Sequence, residues 1–380
     1  MASVHRDVRR AGRALVSSVL RAKLPAARAV QARRDAFNRE LWLAAASRLG
    51  LPATATGGSA VTVQLPDRPF SISRGGSTIE DADALERAGD KERTAAALAE
   101  RGIPVPEHVV TTLATLSDVE PFLARCGTVV VKPARDTSAG RGVTTSVRDA
   151  AALRTAAVAA AAAGSRAGRT SRSGSLLGRL RAKYRDLADV PLLVEQQVRG
   201  ANYRLLYLDG ELLDAVRRAV PTVVGDGHST VRALVARLAA DRAADPGEHG
   251  GLPVTIDEDM RRTLADQRLT LASVPAAGTV VALKTAVNEG AIAEQQPAWH
   301  LLCPEIVREG ARAARLVGGR LVGVDIITPD PSVPLAAAGG VVLEVNTTPG
   351  LAYHYHGNPG GVDVAQGVLE RLAGVRVPTS

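Results

Sequence analysis

Val341-Val342-Leu343-Glu344-Val345-Asn346-Thr347-Thr348-Pro349-Gly350 opens as an apolar run and then presents an acid and an amide two residues apart. Side chains at that spacing on a strand share a face, so Glu344 and Asn346 stand together at the C-terminal end of the run. Magnesium asks for a carboxylate and a few further oxygens in near-octahedral array, with phosphate oxygens completing the shell. A second apolar strand, Val322-Gly323-Val324-Asp325-Ile326-Ile327, carries one acid, Asp325. A lone carboxylate among apolar residues is costly unless it is paired or bound to a cation. Asp325 and Glu344 side by side would repel each other, and a divalent ion removes that penalty. Asp325, Glu344 and Asn346 are therefore candidate metal ligands. The alternative is a pair of edge carboxylates making surface salt bridges.

Working upstream, Val129-Val130-Val131 reads as a buried-type strand ending at Lys132-Pro133. A lysine there either snorkels to the surface or is aimed at an anion. The glycine-containing loop Thr137-Ser138-Ala139-Gly140-Arg141-Gly142 follows within a few residues. Such loops let backbone N–H groups approach phosphate oxygens, and Lys132 adds a point charge. Neither G-x-x-x-x-G-K-[ST] nor a strand-linked G-x-G-x-x-G occurs, so those routes to ATP or NAD are unsupported. Arg217 and Arg218 are adjacent on a strand and face opposite sides, so one can reach a cleft while the other stays in solvent.

The 380 residues suffice for two or three small domains with real cores, and 46% are hydrophobic, a globular composition. Aromatics make up only 3%, which argues against a base-stacking nucleic-acid binder. The formal charge of +8 is uneven. Residues 1–35 hold nine Arg or Lys against Asp7 and Asp35, leaving the body nearly neutral. That basic arm reads as a solvated helical face, an oligomer contact or a patch for an anionic partner. Cys126 and Cys303 lack disulfide-framework or metal spacing and suit reduced thiols in the cytoplasm. No apolar run is long enough to span a membrane, and no signal peptide is read at the N-terminus.

The pattern divides the chain into a basic helical arm (1–35), a small N-terminal α/β domain (36–88), a unit with the lysine strand and glycine loop (89–194), and a unit with the metal-binding strands (195–380). Asp90 caps a helix closed by Gly102. The Ala-rich run after Asp149 is a helix by propensity. Tyr203–Leu208 and Glu211–Val220 form strands joined by the turn Asp209-Gly210. Residues 164–185 read as a surface loop, and the polar segment 241–290 should cover something rather than form a core.

In order along residues 85–356, these pieces resemble the ATP-grasp superfamily. The matching stretches are Gly89-Asp90-Lys91 through Pro106, Val130-Val131-Lys132-Pro133 with Gly140-Arg141-Gly142, Leu193-Val194-Glu195 through Arg204, Arg217-Arg218, Val224-Gly225-Asp226-Gly227, Leu269–Ala277, Gly323-Val324-Asp325, and Glu344-Val345-Asn346 with Pro349-Gly350-Leu351. The set is most similar to the ATP-grasp module of cyanophycin synthetases and related amino-acid and peptide ligases, and more distantly to D-alanine–D-alanine ligase. The resemblance implies an α+β fold in which two subdomains clamp ATP. It implies an ATP-dependent carboxylate–amine ligase working through an acyl phosphate on amino acids or short peptides. Lys91 and Lys132 would hold the α- and β-phosphates, and the loop Thr137, Ser138, Ala139, Gly140, Arg141 and Gly142 would close over the β- and γ-phosphates. Glu195 and the backbone beside it would meet the adenine edge, with Asn202 at the ribose. Arg217 would stabilise the γ-phosphate in transfer. Asp325, Glu344 and Asn346 would bind two Mg²⁺ ions, a role Mn²⁺ can also fill. Arg204 and His354 fall where a substrate carboxylate or the acceptor would sit. Relatives are often dimers or tetramers, so a homo-oligomer is expected. The long N-terminal domain and the Mur-ligase-like half of cyanophycin synthetase have no counterpart here, and 284–293 follows the relatives' loop only loosely, so a single-bond ligase is expected over a polymerase. The competing readings are a non-amine acceptor, a non-catalytic nucleotide-binding scaffold, and a nucleic-acid binder driven by the arm.

Overall fold

The computed structural model describes residues 25–73, 76–135, 140–164, 187–244, 254–290, 295–347, 349–355 and 363–374. Most of the basic arm, the loop residues Thr137, Ser138 and Ala139, and most of the expected loop 164–185 lie outside them.

The first sheet is antiparallel, in the order β1 (Ala53–Gly57), β2 (Ala60–Gln64), β3 (Pro69–Ser73), β4 (Gly76–Ser77). The helix Pro25–Arg48 lies against it. Their shared core centres on Trp42, Val61, Val63 and Phe70, with the Trp42 and Phe70 rings edge to face at 5.4 Å. This core continues into Leu206, Leu208 and Leu321 of a later sheet and into the helix Val364–Leu372. The N-terminal unit is thereby seated on one end of that sheet.

The second sheet contains β5 (His108–Thr111), β6 (Val129–Pro133), β7 (Thr144–Val147) and β8 (Leu192–Gln196), in the order β5-β8-β6-β7. The helix Ala150–Gly164 packs on it through alanines and Leu153, small side chains that let the backbones approach closely. Gly142 shows the tightness of that approach. Its φ is 78°, and a Cβ there would stand 2.5 Å from Ala163 Cβ, so both conformation and space demand glycine.

The third sheet is antiparallel. Its long hairpin, β9 (Ala201–Leu208) and β10 (Glu211–Arg218), turns at Asp209 and Gly210, both with positive φ. A separate ribbon, β11 (Thr222–Val224) with β12 (Val280–Ala282), follows. With β13 (Gln296–Pro297), β14 (Leu321–Thr328) and β15 (Val341–Thr347), the order is β13-β10-β9-β14-β15. One face buries Tyr203, Leu205, Tyr207, Val322, Val324, Ile326, Val342 and Val345 against the helix Pro304–Val317. Leu98 and Ile103, which precede the second sheet in sequence, join this core. β8 runs through the 194/195 boundary drawn from the sequence. Chain order and packing therefore divide the molecule differently.

The polar segment 241–290 departs from its expected role. Met260, Leu264, Val281 and Leu283 meet Val223, Val231, Leu234 and Val235 in a small core of their own. The segment is also docked onto the second sheet. Buried Asp259 accepts hydrogen bonds from the Thr145 backbone N–H (3.0 Å) and hydroxyl (2.5 Å). Among the described residues no helix is long and apolar enough to cross a membrane.

Candidate active site

The face of the third sheet opposite its helix is apolar under the N-terminal unit and polar at the other end. Strand register explains the polar end. Asp325 lies directly across from Glu344 on one side and Arg204 on the other, Gly323 faces Asn346, and Asn202 faces Arg218. Cross-strand partners share a face, so these side chains converge. Arg204 grips Asp325 with two hydrogen bonds, from Nε to Oδ1 and from Nη2 to Oδ2, the second 2.7 Å long. Arg218 Nη1 stands 3.8 Å from Asp325 Oδ2, and Asn346 Nδ2 donates to the same oxygen at 3.3 Å. Burial alone would push the Asp325 carboxyl up; the guanidinium of Arg204, with Arg218 behind it, outweighs burial and holds it below the usual carboxylate range. Gly323 makes room for this arrangement, because a Cβ there would lie 2.9 Å from both Arg204 Cδ and Pro349 Cβ.

Two lysines join this face to the second sheet. Lys132, buried at the end of β6, pairs with Glu195 on β8 at 2.7 Å. Lys91 bridges the sheets. Its backbone N–H donates to the Ala134 carbonyl at 3.4 Å, two residues past Lys132, and its Nζ stands 3.3 Å from Glu344 Oε1. Asp90, which caps the following helix by accepting from the Arg93 N–H, also pairs with Arg135 at 2.8 Å. The end of the lysine strand and the acidic strand therefore meet at one residue.

One sequence expectation needs correction. Arg217 is not on this face: it is exposed and lies across from Tyr203, on the helix side of the sheet. A bulge decides which arginine takes the site face. Counting from the Asp209-Gly210 turn puts residue 217 opposite Asn202, but the register slips between Leu212 and Asp214, so Arg218 takes that place. Glu195, expected at the adenine edge, pairs through Oε2 with Lys132 inside the second sheet. Beside it, the Gln196 and Gln197 N–H groups donate to Glu107 and Thr128 carbonyls. Gly140, Arg141 and Gly142 lie just beyond β6, while Thr137, Ser138 and Ala139 are outside the described residues. His354 is brought to the site face, where its Nδ1 meets Asp214 Oδ2 at 2.7 Å. Arg218, Asp214 and Gly323 were not singled out as site residues. Adjacency put Arg217 and Arg218 on opposite faces without choosing between them, and the resemblance pointed to Arg217.

The donor set suits a hard divalent cation. Glu344, Asn346 and Asp325 present carboxylate and amide oxygens on adjacent strands. Asn346 donates its NH₂ to Asp325, so its side-chain oxygen is the atom that can accept or ligate. Glu344 is partly exposed and pairs with the Lys91 ammonium at 3.3 Å. Among the described residues no cluster of three or more His, Cys, Asp or Glu forms a metal site, so a cation here would depend on the amide and on ligand oxygens.

No family model matches the chain. Cyanophycin synthetase from Nostoc sp. (strain PCC 7120) is 30% identical over 296 residues, covering 76% of this chain and 29% of that protein. Cyanophycin synthetase from Synechocystis sp. (strain PCC 6803) is 31% identical over 294 residues, covering 76% and 30%. The glutathione biosynthesis bifunctional protein of Streptococcus mutans is 29% identical over 192 residues, 49% of this chain and 25% of that one. The chain thus spans under a third of the length of the curated relatives it matches. Among solved structures, a bifunctional glutathione synthetase from Pasteurella multocida superposes with a TM-score of 0.52 at 21% identity, over 88% of this chain and 43% of that one.

Proposed function

This chain belongs to the ATP-grasp superfamily, and from that premise we propose that it is an ATP-dependent carboxylate–amine ligase acting on amino acids or short peptides. The observation that carries the reading is the position of Lys91, bonded to the lysine strand through its backbone and to Glu344 through its ammonium. A triphosphate laid along that junction meets Lys91 and Lys132 on one side and the acids of β14 and β15 on the other. The names of the relatives, cyanophycin and glutathione synthetases, supply the substrate class.

In this reading a substrate carboxylate oxygen attacks the γ-phosphorus in line. The new acyl O–P bond forms as the bond to the β-phosphate oxygen breaks, and ADP leaves. An amine then attacks the acyl carbon, the C–O bond to phosphate breaks, and an amide, phosphate and a proton are released. Lys91, Lys132 and Arg218 neutralise charge spreading over the transferred phosphoryl. Glu344, Asn346 and Asp325 would hold magnesium, which would supply fixed positive charge against the triphosphate. Arg204 keeps Asp325 ionised and in place. The segment 254–290, docked on β7 through Asp259, would help keep water from the acyl phosphate.

The test is a screen of amino acids and short peptides for stimulated ADP release, with mass spectrometry of the product. ADP release coupled to a new amide mass supports the reading. A chain that binds ATP and Mg²⁺ yet releases ADP with no carboxylate added to a product is a scaffold or an ATPase instead.

A further inference from the structure

Asp214 and His354 form a buried pair that phosphoryl transfer does not use. Asp214 follows the bulge in β10 and lies on the site face, across from Leu206. His354 ends the short turn Leu351–His354 that follows β15. The two side chains are 9% and 0% exposed, and Nδ1 meets the carboxylate at 2.7 Å. An ionised carboxylate only accepts, so Nδ1 carries the proton and Nε2 of the neutral ring keeps its lone pair. Among the described residues that Nε2 is buried with no hydrogen-bond partner. A buried polar nitrogen without a partner is a costly arrangement that asks for an occupant.

The surroundings favour a base. Asp214 meets the ring from β10, and the charges of Arg204 on β9, Arg218 on β10 and Asp325 on β14 act on it as well. The helices packed on the turn contribute Arg48 and Asp363, and these meet Tyr355 instead. Burial, reinforced by Arg204 and Arg218, holds the imidazole below its ordinary range against the upward pull of Asp214, so the ring is neutral near pH 7. The other carboxylates of the face are each engaged: Asp325 by Arg204 and Glu344 by Lys91.

We propose that His354, oriented by Asp214, takes the proton from the attacking amine of the acceptor. The inference rests on the ligase reading and adds the second half-reaction to it. The amine nitrogen forms the C–N bond, phosphate departs with the electrons of the C–O bond, and the amine proton moves to Nε2. Asp214 stays ionised, stabilises the imidazolium, and acts as a positioning residue. The proton then leaves with phosphate or to solvent.

The experiment compares two nucleophiles. The chain is given ATP, Mg²⁺ and an equimolar mixture of the common amino acids, with or without hydroxylamine, and products are read by mass spectrometry. Hydroxylamine is largely uncharged at neutral pH and needs little help from a base, so hydroxamate reports activation while amide reports the full reaction. In His354→Gln the ratio of amide to hydroxamate should fall by about a hundredfold or more. A purely structural histidine would lower amide and hydroxamate together and leave their ratio unchanged. Asp214→Asn should lower the ratio less, with partial recovery in Asp214→Glu, and it serves as the test if His354→Gln fails to fold. A ratio equal to wild type in soluble His354→Gln or Asp214→Asn overturns the proposal. Wild-type hydroxamate without any amide overturns it too, by removing the amine acceptor, whereas absence of both products removes the ligase reading itself.

Discussion

Arg217 and Arg218 are neighbours in sequence on opposite faces of a sheet, which makes their alanine variants a matched pair. Arg218 Nη1 stands 3.8 Å from Asp325 Oδ2 with 4% of its side chain exposed. At an effective dielectric constant of about 20, that separation corresponds to roughly 4 kcal/mol of attraction. Deleting Arg218 still leaves Asp325 gripped by Arg204, and it also removes the cost of burying a second cation. Unfolding free energy should therefore move by no more than about 2 kcal/mol in either direction. The transition state has no such reserve. Loss of one group aimed at developing charge costs about 10²–10³-fold in kcat, roughly 2.7–4 kcal/mol. Arg217, exposed on the far face, should matter little: about 0.5 kcal/mol in stability and about twofold in rate. The assay is steady-state ADP release on the substrates found by screening, with urea unfolding of each variant as control. A hundredfold loss in Arg217→Ala alongside near-normal Arg218→Ala would refute the reasoning, since it would mean the bulge does not set which arginine faces the nucleotide.

Glu195→Gln strands Lys132 in the second sheet without its counter-charge and should cost about 3–5 kcal/mol, read as a lower urea midpoint at unchanged slope; the double variant Lys132→Met with Glu195→Leu should recover much of that loss. Gly323→Ala puts a methyl 2.9 Å from Arg204 Cδ and Pro349 Cβ, so it should cost about 1–3 kcal/mol by overpacking and slow ADP release as Arg204 shifts on Asp325; a normal rate would mean that contact does not hold Arg204. Stability should also respond to His354. Its burial holds the ring below the ordinary value of 6.5 despite Asp214, so as pH falls the unfolded chain takes up the proton first. The unfolding free energy is then undiminished above about pH 6.5 and declines as pH drops from there towards the lower folded value. His354→Gln should flatten that part of the profile in urea titrations, and an unchanged slope would mean that another group carries it.

How much could be read beforehand differs by element. Local rules were sufficient where the physics is local. The cap at Asp90, the stop at Gly102, the alanine helix and the Asp209-Gly210 hairpin are all present. Glu344 and Asn346 share a face because two-residue spacing within β15 survives intact beyond its own irregularity at Leu343. Arg218 was not legible, because a one-residue bulge between Leu212 and Asp214 inverts every parity argument made from the turn. The Lys132–Glu195 pair depends on β6 lying beside β8, with a long insertion between them in the chain. The Asp214–His354 contact joins residues 140 positions apart. The small core under 254–290 was hidden because its apolar residues come from four short stretches, none of which has a strong pattern alone.

The most direct test of the account is a crystal structure of the chain with Mg²⁺ and a non-hydrolysable ATP analogue. The account predicts the triphosphate at the junction made by Lys91, with Lys132 and Arg218 on the phosphates, and metal held by Glu344, Asn346 and Asp325. A nucleotide bound elsewhere, or one whose phosphates lie on the Arg217 face of the sheet, would contradict it.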